Sequence, residues 1–243
     1  MIFMWNAEVK GGEMRRNEVR RNAPKWQKAD FVSWIFFKSF AFEITPDLER
    51  ISEYQYKGDK DFIRDYETFV SSGLINVVIE ISKGTREKWE VSKFDGSLER
   101  DFAFGQPRTI EYAPYPSNYG MIPKTVLPKK IGGDGDPLDA IVLGEKKSMG
   151  SIVQVKVLGV LYMTDFGEDD HKIICIPLNE VSSFNEKDLE IMVKNISDWF
   201  LNYKGQGVVE INNFSDEKDA LNLVKEANKY YKKWGVKKVF YWS

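Results

Sequence analysis

Three aspartates stand within six residues of the stretch GGDGDPLDAIVLGE (132–145). They are Asp134, Asp136 and Asp139, with no Lys or Arg between them and an apolar run, 140–143, directly after. Asp134 and Asp136 are two apart, so they point the same way where the chain is extended. Carboxylates this close repel, and their pKa values rise unless a counter-charge intervenes. A hard divalent cation such as Mg²⁺, which takes oxygen ligands and keeps several waters, is one remedy. Solvent screening in a turn rich in Asp and Gly is the other, and spacing alone leaves both open. The stretch is not an EF-hand, because it lacks that motif's spacing and its glutamate ligand.

A second acidic segment, TDFGEDDHK (164–172), holds Asp165, Glu168, Asp169 and Asp170 against one lysine, Lys172. Two facing carboxylate sets can hold more than one Mg²⁺. Metals about 3.5–4 Å apart clamp the attacking and leaving oxygens of a phosphoryl displacement. Donors suited to phosphate stand in YPSNYG (115–120), with Tyr119, and in NYKG (202–205), with Tyr203 and Lys204. Tyr and Lys can hold a phosphate oxygen and stabilise charge developing on a leaving phosphate. Each is equally at home in a packed aromatic turn or at a helix end in water. In KWEV, Lys88 and Glu90 share one face of an extended segment, opposite Trp89 and Val91; in NVVIEI, Glu80 shares a face with Val78. Alone, such pairs read as ordinary solvated surface.

These residues need elements to hold them. NVVIEI (76–81), KWEVSK (88–93), SIVQVKVLGVLYM (151–163) and KIICIP (172–177) read as strands, with turns at SKGT and FDGS. Helical spacing appears late. Leu189, Met192, Ile196, Trp199, Phe200 and Tyr203 step by three and four, and Gly205 is placed to stop the helix. A second helix is expected over 216–234, and a short one around DKDFIRDYETF. Strands first and helices later point to an α+β domain.

Composition excludes more than it assigns. Apolar content of 42% and charged content of 30% over 243 residues suit a soluble globular chain with a sizeable core. A net charge of −2 gives no global attraction for nucleic acid. One cysteine, Cys175, rules out an intrachain disulfide and a cysteine metal cluster; one histidine, His171, leaves carboxylates, Lys, Arg and Tyr as the reactive inventory. No run is long enough to span a bilayer. Basic residues ahead of FVSWIFFKSFAF (31–42) give the order of a signal peptide. Acidic residues interrupt the basic part and Lys38 the apolar part, so a cytoplasmic location is expected rather than export.

VIEI, KGTREKWE, YPSNYGMIPKT, DGDPLD, TDFGEDDHK and NYKG together resemble the soluble family I inorganic pyrophosphatases in order and approximate spacing. DGDPLD fits that family's Asp-x-Asp-Pro-apolar-Asp signature, and the resemblance covers about residues 75–205. It implies an α+β, mainly β fold: a small closed OB-like β-barrel with flanking helices. That domain would span 46–243, behind an N-terminal extension at 1–45. The implied reaction is Mg²⁺-dependent hydrolysis of pyrophosphate to two orthophosphates, with several Mg²⁺ per site, in a homo-oligomer (hexamer or dimer). By residue match, Asp134, Asp139 and Asp170 resemble the ligands of a tight metal pair, and Asp136 the base on the metal-bridging water. Glu80, Asp165 and Asp170 resemble the groups receiving metal brought with substrate, and Glu90 a further active-site carboxylate. Lys88, Tyr119, Lys172, Tyr203 and Lys204 match the phosphate-holding set. For the family's arginine the choice is Arg108 in QPRTIEY, with Arg100 in reserve, because this chain carries extra residues there. ISKG stands where the family has IPKG. The alternative is a metal- or phosphate-binding module without turnover, against which the complete set of acid, base and phosphate groups argues.

Overall fold

The structure, a computed structural model, describes residues 42–71, 73–127, 133 and 135–239, with side chains as far as Trp234. The extension expected over 1–45 thus lies outside the described residues except for 42–45, and Asp134 lies outside them too. In chain order come β1 (Glu43–Ile44), β2 (Glu49–Ser52), β3 (Gln55–Lys57), β4 (Phe69–Ser71), β5 (Leu74–Ile81), β6 (Trp89–Val91), β7 (Leu98–Arg100) and β8 (Phe102–Ala103). There follow β9 (Gln106–Pro107), β10 (Asn118–Met121), β11 (Asp139–Val142), β12 (Ile152–Asp165), β13 (Glu168–Asp169), β14 (Lys172–Pro177), α1 (Leu189–Tyr203), β15 (Val209–Asp216) and α2 (Glu217–Val239).

Five strands close on themselves through hydrogen bonds, in the order β5–β10–β11–β14–β12, with β12 pairing back to β5. The β11–β14 pair is parallel and the other ring pairs are antiparallel. This ring with its helices fits the OB-like architecture. Closure depends on β12, whose first half pairs with β5 (Ile152 opposite Val78) and whose second half pairs with β15. Between them the register of β12 on β14 shifts at Val157–Gly159, and at Gly159 a side chain would overlap Phe214 and the Ser215 carbonyl.

Strands β11 and β14 are apolar on both faces after their first residue because both faces are covered, hence their near-continuous hydrophobic runs. Alternation sorts the two faces. Ala140, Val142, Ile173 and Cys175 pack with Ala220, Val224 and Ala227 of α2. Ile141, Leu143, Ile174 and Ile81 pack with Val193, Ile196, Trp199 and Phe200 of α1. A period of two then puts Asp139 on the side of Ile141, and Lys172 on the side of Ile174. Both therefore sit at strand ends on the face covered by α1. That helix stops where the sequence suggests: Gly205, at φ +96, turns its N–H back to the Asn202 carbonyl.

A separate four-stranded sheet, β2–β3–β7–β6, packs Trp89, Val91 and Leu98 with Phe62, Ile63 and Tyr66. Glu90 stays exposed between Trp89 and Val91, as the alternation predicts. The short helix expected around DKDFIRDYETF does not form. Asp61 Oδ1 accepts the N–H groups of Ile63 (2.9 Å) and Arg64 (2.8 Å), and Phe62, Ile63 and Tyr66 all point into one cluster. These bonds cap a single turn, closed by Asp65 N–H on the Asp61 carbonyl at 3.0 Å, which does not continue as a helix.

Helix α2 is tied to the chain ahead of the aspartate-rich loop through Asn228. Its buried amide donates to Thr68 Oγ1 (2.6 Å) and to the Lys124 carbonyl (2.7 Å), and Thr68 Oγ1 donates to the Pro123 carbonyl (2.7 Å). Asn228→Leu strips two buried acceptors of their donor, and is expected to lower unfolding free energy by about 1–3 kcal/mol in urea titrations. A midpoint equal to wild type would show that the amide bonds add nothing.

Candidate active site

The register of the ring assembles the centre of a cleft. Parallel pairing of β11 with β14 sets Asp139 opposite Lys172. The Lys172 side chain is 2% exposed, and its Nζ lies 2.5 Å from Asp139 Oδ2 and against Asp170 Oδ1. On β10, Tyr119 faces Ile141, two residues from Asp139 on the same side, and its hydroxyl donates to Asp139 Oδ2 at 2.5 Å. Helix α1 supplies an aromatic wall. Phe200 lies 6.5 Å from the Tyr119 ring, and Tyr203 stacks on Trp199 at 4.6 Å. Just past the helix, Lys204 pairs with Asp165 at the end of β12. Lys93 pairs with Asp136 across two loops.

The cleft, of about 540 Å³, is lined by Glu80, Lys88, Glu90, Tyr119, Asp136, Asp139, Asp165, Asp170, Lys172, Tyr203 and Lys204, among others. Eleven of the residues singled out from sequence therefore meet in one place. Asp134 lies outside the described residues. Arg108 stands one contact behind the lining: its Nη1 and Lys88 Nζ each lie 2.9 Å from Asp101 Oδ2. Arg100 goes elsewhere. Its guanidinium sits over Trp89 at 5.4 Å and reaches Glu87 at 3.7 Å.

Sequence reading missed Asp101, Lys93, Tyr115, Phe94 and Phe166. Asp101 holds Lys88 and Arg108 together, yet it is a single residue between β7 and β8 beside Glu99 and Arg100, and nothing local marks it. Lys93 meets Asp136 only because two loops converge. Tyr115 could have been found, since it shares the YPSNYG turn with Tyr119, and its ring sits 4.8 Å from Trp199.

Burial and crowding set the electrostatics. Burial, then the Asp139 charge, drives the Glu80 carboxyl well above the usual range, although Val91 N–H donates to its Oε1 at 2.7 Å. Burial also raises Asp139, and Lys172 beside it only partly offsets this. At Asp170, burial pushes upward, but Lys172 and Lys204 outweigh it and the carboxyl lies below its ordinary value. Lys172 is held charged: burial opposes the ammonium, and Asp139 and Asp170 overcome that. Burial raises Tyr203 and Tyr119, while Tyr115 is pushed up to about 12, so these phenols keep their protons to donate.

The donors fit a hard divalent cation. They are carboxylate oxygens without thiolate or imidazole among them, the set suited to Mg²⁺, Ca²⁺ or Mn²⁺. Asp165 Oδ1 is buried with no hydrogen-bond partner among the described residues, and the Asp139 charge adds to the cost of ionising buried Glu80. A cation relieves both conditions. Among the described residues no three such groups converge on one point; lysine ammonium groups lie against them.

Residues 77–232 match the family model described as inorganic pyrophosphatase. The inorganic pyrophosphatase of Helicobacter pylori is 33% identical over 165 residues, covering 64% of this chain and 90% of that protein. Among solved structures, the type I inorganic pyrophosphatase of Toxoplasma gondii aligns with a TM-score of 0.68 at 27% identity, over 79% of this chain and all but 1% of that one (99%). The N-terminally truncated vacuolar soluble pyrophosphatase of Trypanosoma cruzi, in complex with PPi, aligns with a TM-score of 0.62 at 26% identity, over 78% of this chain and 79% of that one.

Proposed function

This chain belongs to the inorganic pyrophosphatase family, and from that premise we propose how its cleft divides the work of the reaction. The enzyme is an inorganic diphosphatase: it hydrolyses pyrophosphate to two orthophosphates and uses divalent metal. The observation that carries the assignment of roles is convergence. Carboxylates and phosphate donors from separate segments between Glu80 and Lys204 line one cleft.

Asp136 is the proposed general base. Its carboxylate is half-exposed at the cleft, paired with Lys93, and takes the proton of the attacking water. Asp134, Asp139 and Asp170 hold the tight metal pair, and Glu80, Asp165 and Asp170 receive metal that arrives with substrate. Glu90, 3.2 Å from Lys88, aims that lysine. Bound among these oxygens, divalent ions would neutralise diphosphate charge and lower the pKa of the attacking water. Lys88, Arg108, Tyr119, Lys172, Tyr203 and Lys204 grip phosphate oxygens and stabilise charge on the departing phosphate. The bound pyrophosphate of the Trypanosoma cruzi relative supports a phosphate-holding role for this cleft.

Mg²⁺ is the proposed ion, on the resemblance to the family I enzymes; the hard oxygen donors suit it, as they suit Mn²⁺ and Ca²⁺. Orthophosphate release measured at matched concentrations of Mg²⁺, Mn²⁺, Zn²⁺ and Ca²⁺ tests this. Mg²⁺ should support the fastest turnover; turnover with Zn²⁺ alone would sink the choice. The two arginines separate by kinetics. Arg108→Ala should cut kcat/KM by about 10²-fold, whereas Arg100→Ala should leave kcat/KM nearly unchanged and lower the denaturation midpoint. The reverse pattern would reassign the arginine. A homo-oligomer, hexamer or dimer, and a cytoplasmic location complete the reading. The exposed Ile191, Met192 and Phe214 support the first, and the charges interrupting residues 1–42 the second. Among the described residues, no helix is long and apolar enough to cross a membrane.

A further inference from the structure

Two phenylalanines stand at the mouth of the cleft, where pyrophosphate has nothing for them to hold. Phe94 is 93% exposed and Phe166 is 78% exposed, and both line the same cleft as Lys88, Tyr119 and Lys204. Isolated exposed aromatics are ordinary, and Phe104, fully exposed away from the cleft, is one. What distinguishes this pair is a shared address on the cleft. Phe166 occupies the turn between β12 and β13 at φ +50, followed by Gly167 at φ +82. Two successive positive φ values are what a tight hairpin turn requires; Phe104 and Gly105, at φ +53 and +75 away from the cleft, repeat them, so position on the cleft and not backbone conformation marks Phe166. Lys204 Nζ sits 5.4 Å from the centre of the Phe166 ring, a cation–π contact that fixes it. Phe94 rides a second turn, pinned by Gly96 N–H to the Ser92 carbonyl (2.9 Å) and by Ser97 Oγ to Asp95 Oδ1 (2.7 Å). Each turn thus carries a residue ion-paired with a group proposed for the reaction, Lys93 with Asp136 and Asp165 with Lys204, and beside it an exposed aromatic ring.

Depth follows the same order. Lys172 and Glu80 are buried at the inner end, and the two rings stand in solvent at the outer end. The volume of about 540 Å³ lies in the range of roughly 300–1,000 Å³ that takes drug-sized organic ligands. We propose that the cleft also binds organic diphosphates, the terminal diphosphate seated among the inner cations and the organic substituent lying against Phe94 and Phe166. This rests on the diphosphatase reading of the same site. The shared chemistry is a diphosphate monoester with a flat or apolar group, so both a nucleoside diphosphate and an isoprenyl diphosphate present it.

The test measures competitive inhibition of pyrophosphate hydrolysis by ADP, by geranyl diphosphate and by methylenediphosphonate, which has no such substituent. Wild type is compared with the doubly substituted Phe94→Ser, Phe166→Ser protein; both sites are exposed, so folding should survive. At least one organic diphosphate should inhibit wild type competitively, and its inhibition constant should rise on the order of tenfold in the double variant. Uninhibited hydrolysis and the methylenediphosphonate constant should stay the same. ADP and geranyl diphosphate in parallel show whether a flat ring or an apolar chain is preferred. The proposal is overturned if neither organic compound inhibits wild type, if every one that does inhibits the variant equally well, or if methylenediphosphonate weakens in parallel. Failure of the diphosphatase reading itself would show separately, as no pyrophosphate hydrolysis by wild type.

Discussion

Asp136→Asn should lower kcat by about 10²–10⁴-fold, the usual contribution of a positioned general base, while the protein keeps its fold. The loop carrying Asp136 is held by backbone, not by the carboxylate. Leu127 N–H donates to the Asp136 carbonyl at 3.2 Å, and Gly135 N–H to the Leu127 carbonyl at 2.8 Å. Asn preserves the shape and loses the negative charge, and with it the ability to take a proton. Its pairing with Lys93 joins two groups each about 40% exposed (42% and 41%), and such a pair adds little to stability. Thermal midpoint and calorimetric Mg²⁺ binding should therefore stay near wild type while turnover collapses. Near-full activity in Asp136→Asn would remove the base assignment. A collapse of Mg²⁺ binding would instead make Asp136 a ligand.

Lys172→Met should be the most destabilising single change in the cleft when chelator is present. The ammonium is buried between Asp139 and Asp170. Removing one partner of a buried ionic cluster costs about 3–5 kcal/mol, because the remaining charges stay buried without compensation. The pH dependence has a definite sign. In wild type Asp170 lies below its unfolded value, so its contribution is present above the unfolded pKa and fades as pH falls through the folded one. Without Lys172, burial and mutual repulsion raise Asp139 and Asp170 above their unfolded values. Stability is then greatest where they are protonated and is lost as pH rises through the raised values. Acidifying the variant from neutral pH should thus raise its denaturation midpoint in EDTA. Added Mg²⁺ should restore more midpoint to the variant than to wild type. A variant as stable as wild type in EDTA would show that the ammonium is dispensable to the carboxylates.

How much of this was legible in the sequence follows from how local each signal is. Strand β14 and helix α1 emerge where expected because KIICIP is a continuous apolar run and Leu189 to Tyr203 keeps a helical period. The carboxylates around Asp139 and Asp170 are legible as a crowded charge that needs a cation. Closure of the ring is not, since it depends on β12 meeting β5 across more than seventy residues of chain (Ile152 opposite Val78). Asp101 is invisible for a related reason: its meaning comes from Lys88 and Arg108, which β6 and the following loops bring to it. Arg100 and Arg108 look alike in sequence. They part only because one lies on β7 over Trp89 while the other turns to the Asp101 side. The turn at 61–67 defeats a periodicity reading: Asp61 caps it as it would a helix, and Asp65 N–H returns to the Asp61 carbonyl at 3.0 Å, but the chain runs no further as a helix and enters β4 at Phe69.

The most direct measurement is orthophosphate released per pyrophosphate consumed by the purified protein, with Mg²⁺ and again with excess EDTA. The expected result is two orthophosphates per pyrophosphate with Mg²⁺, and release abolished by EDTA. Release indifferent to EDTA would contradict a carboxylate-held metal, and no release at all would leave a cleft that binds phosphate without turning it over.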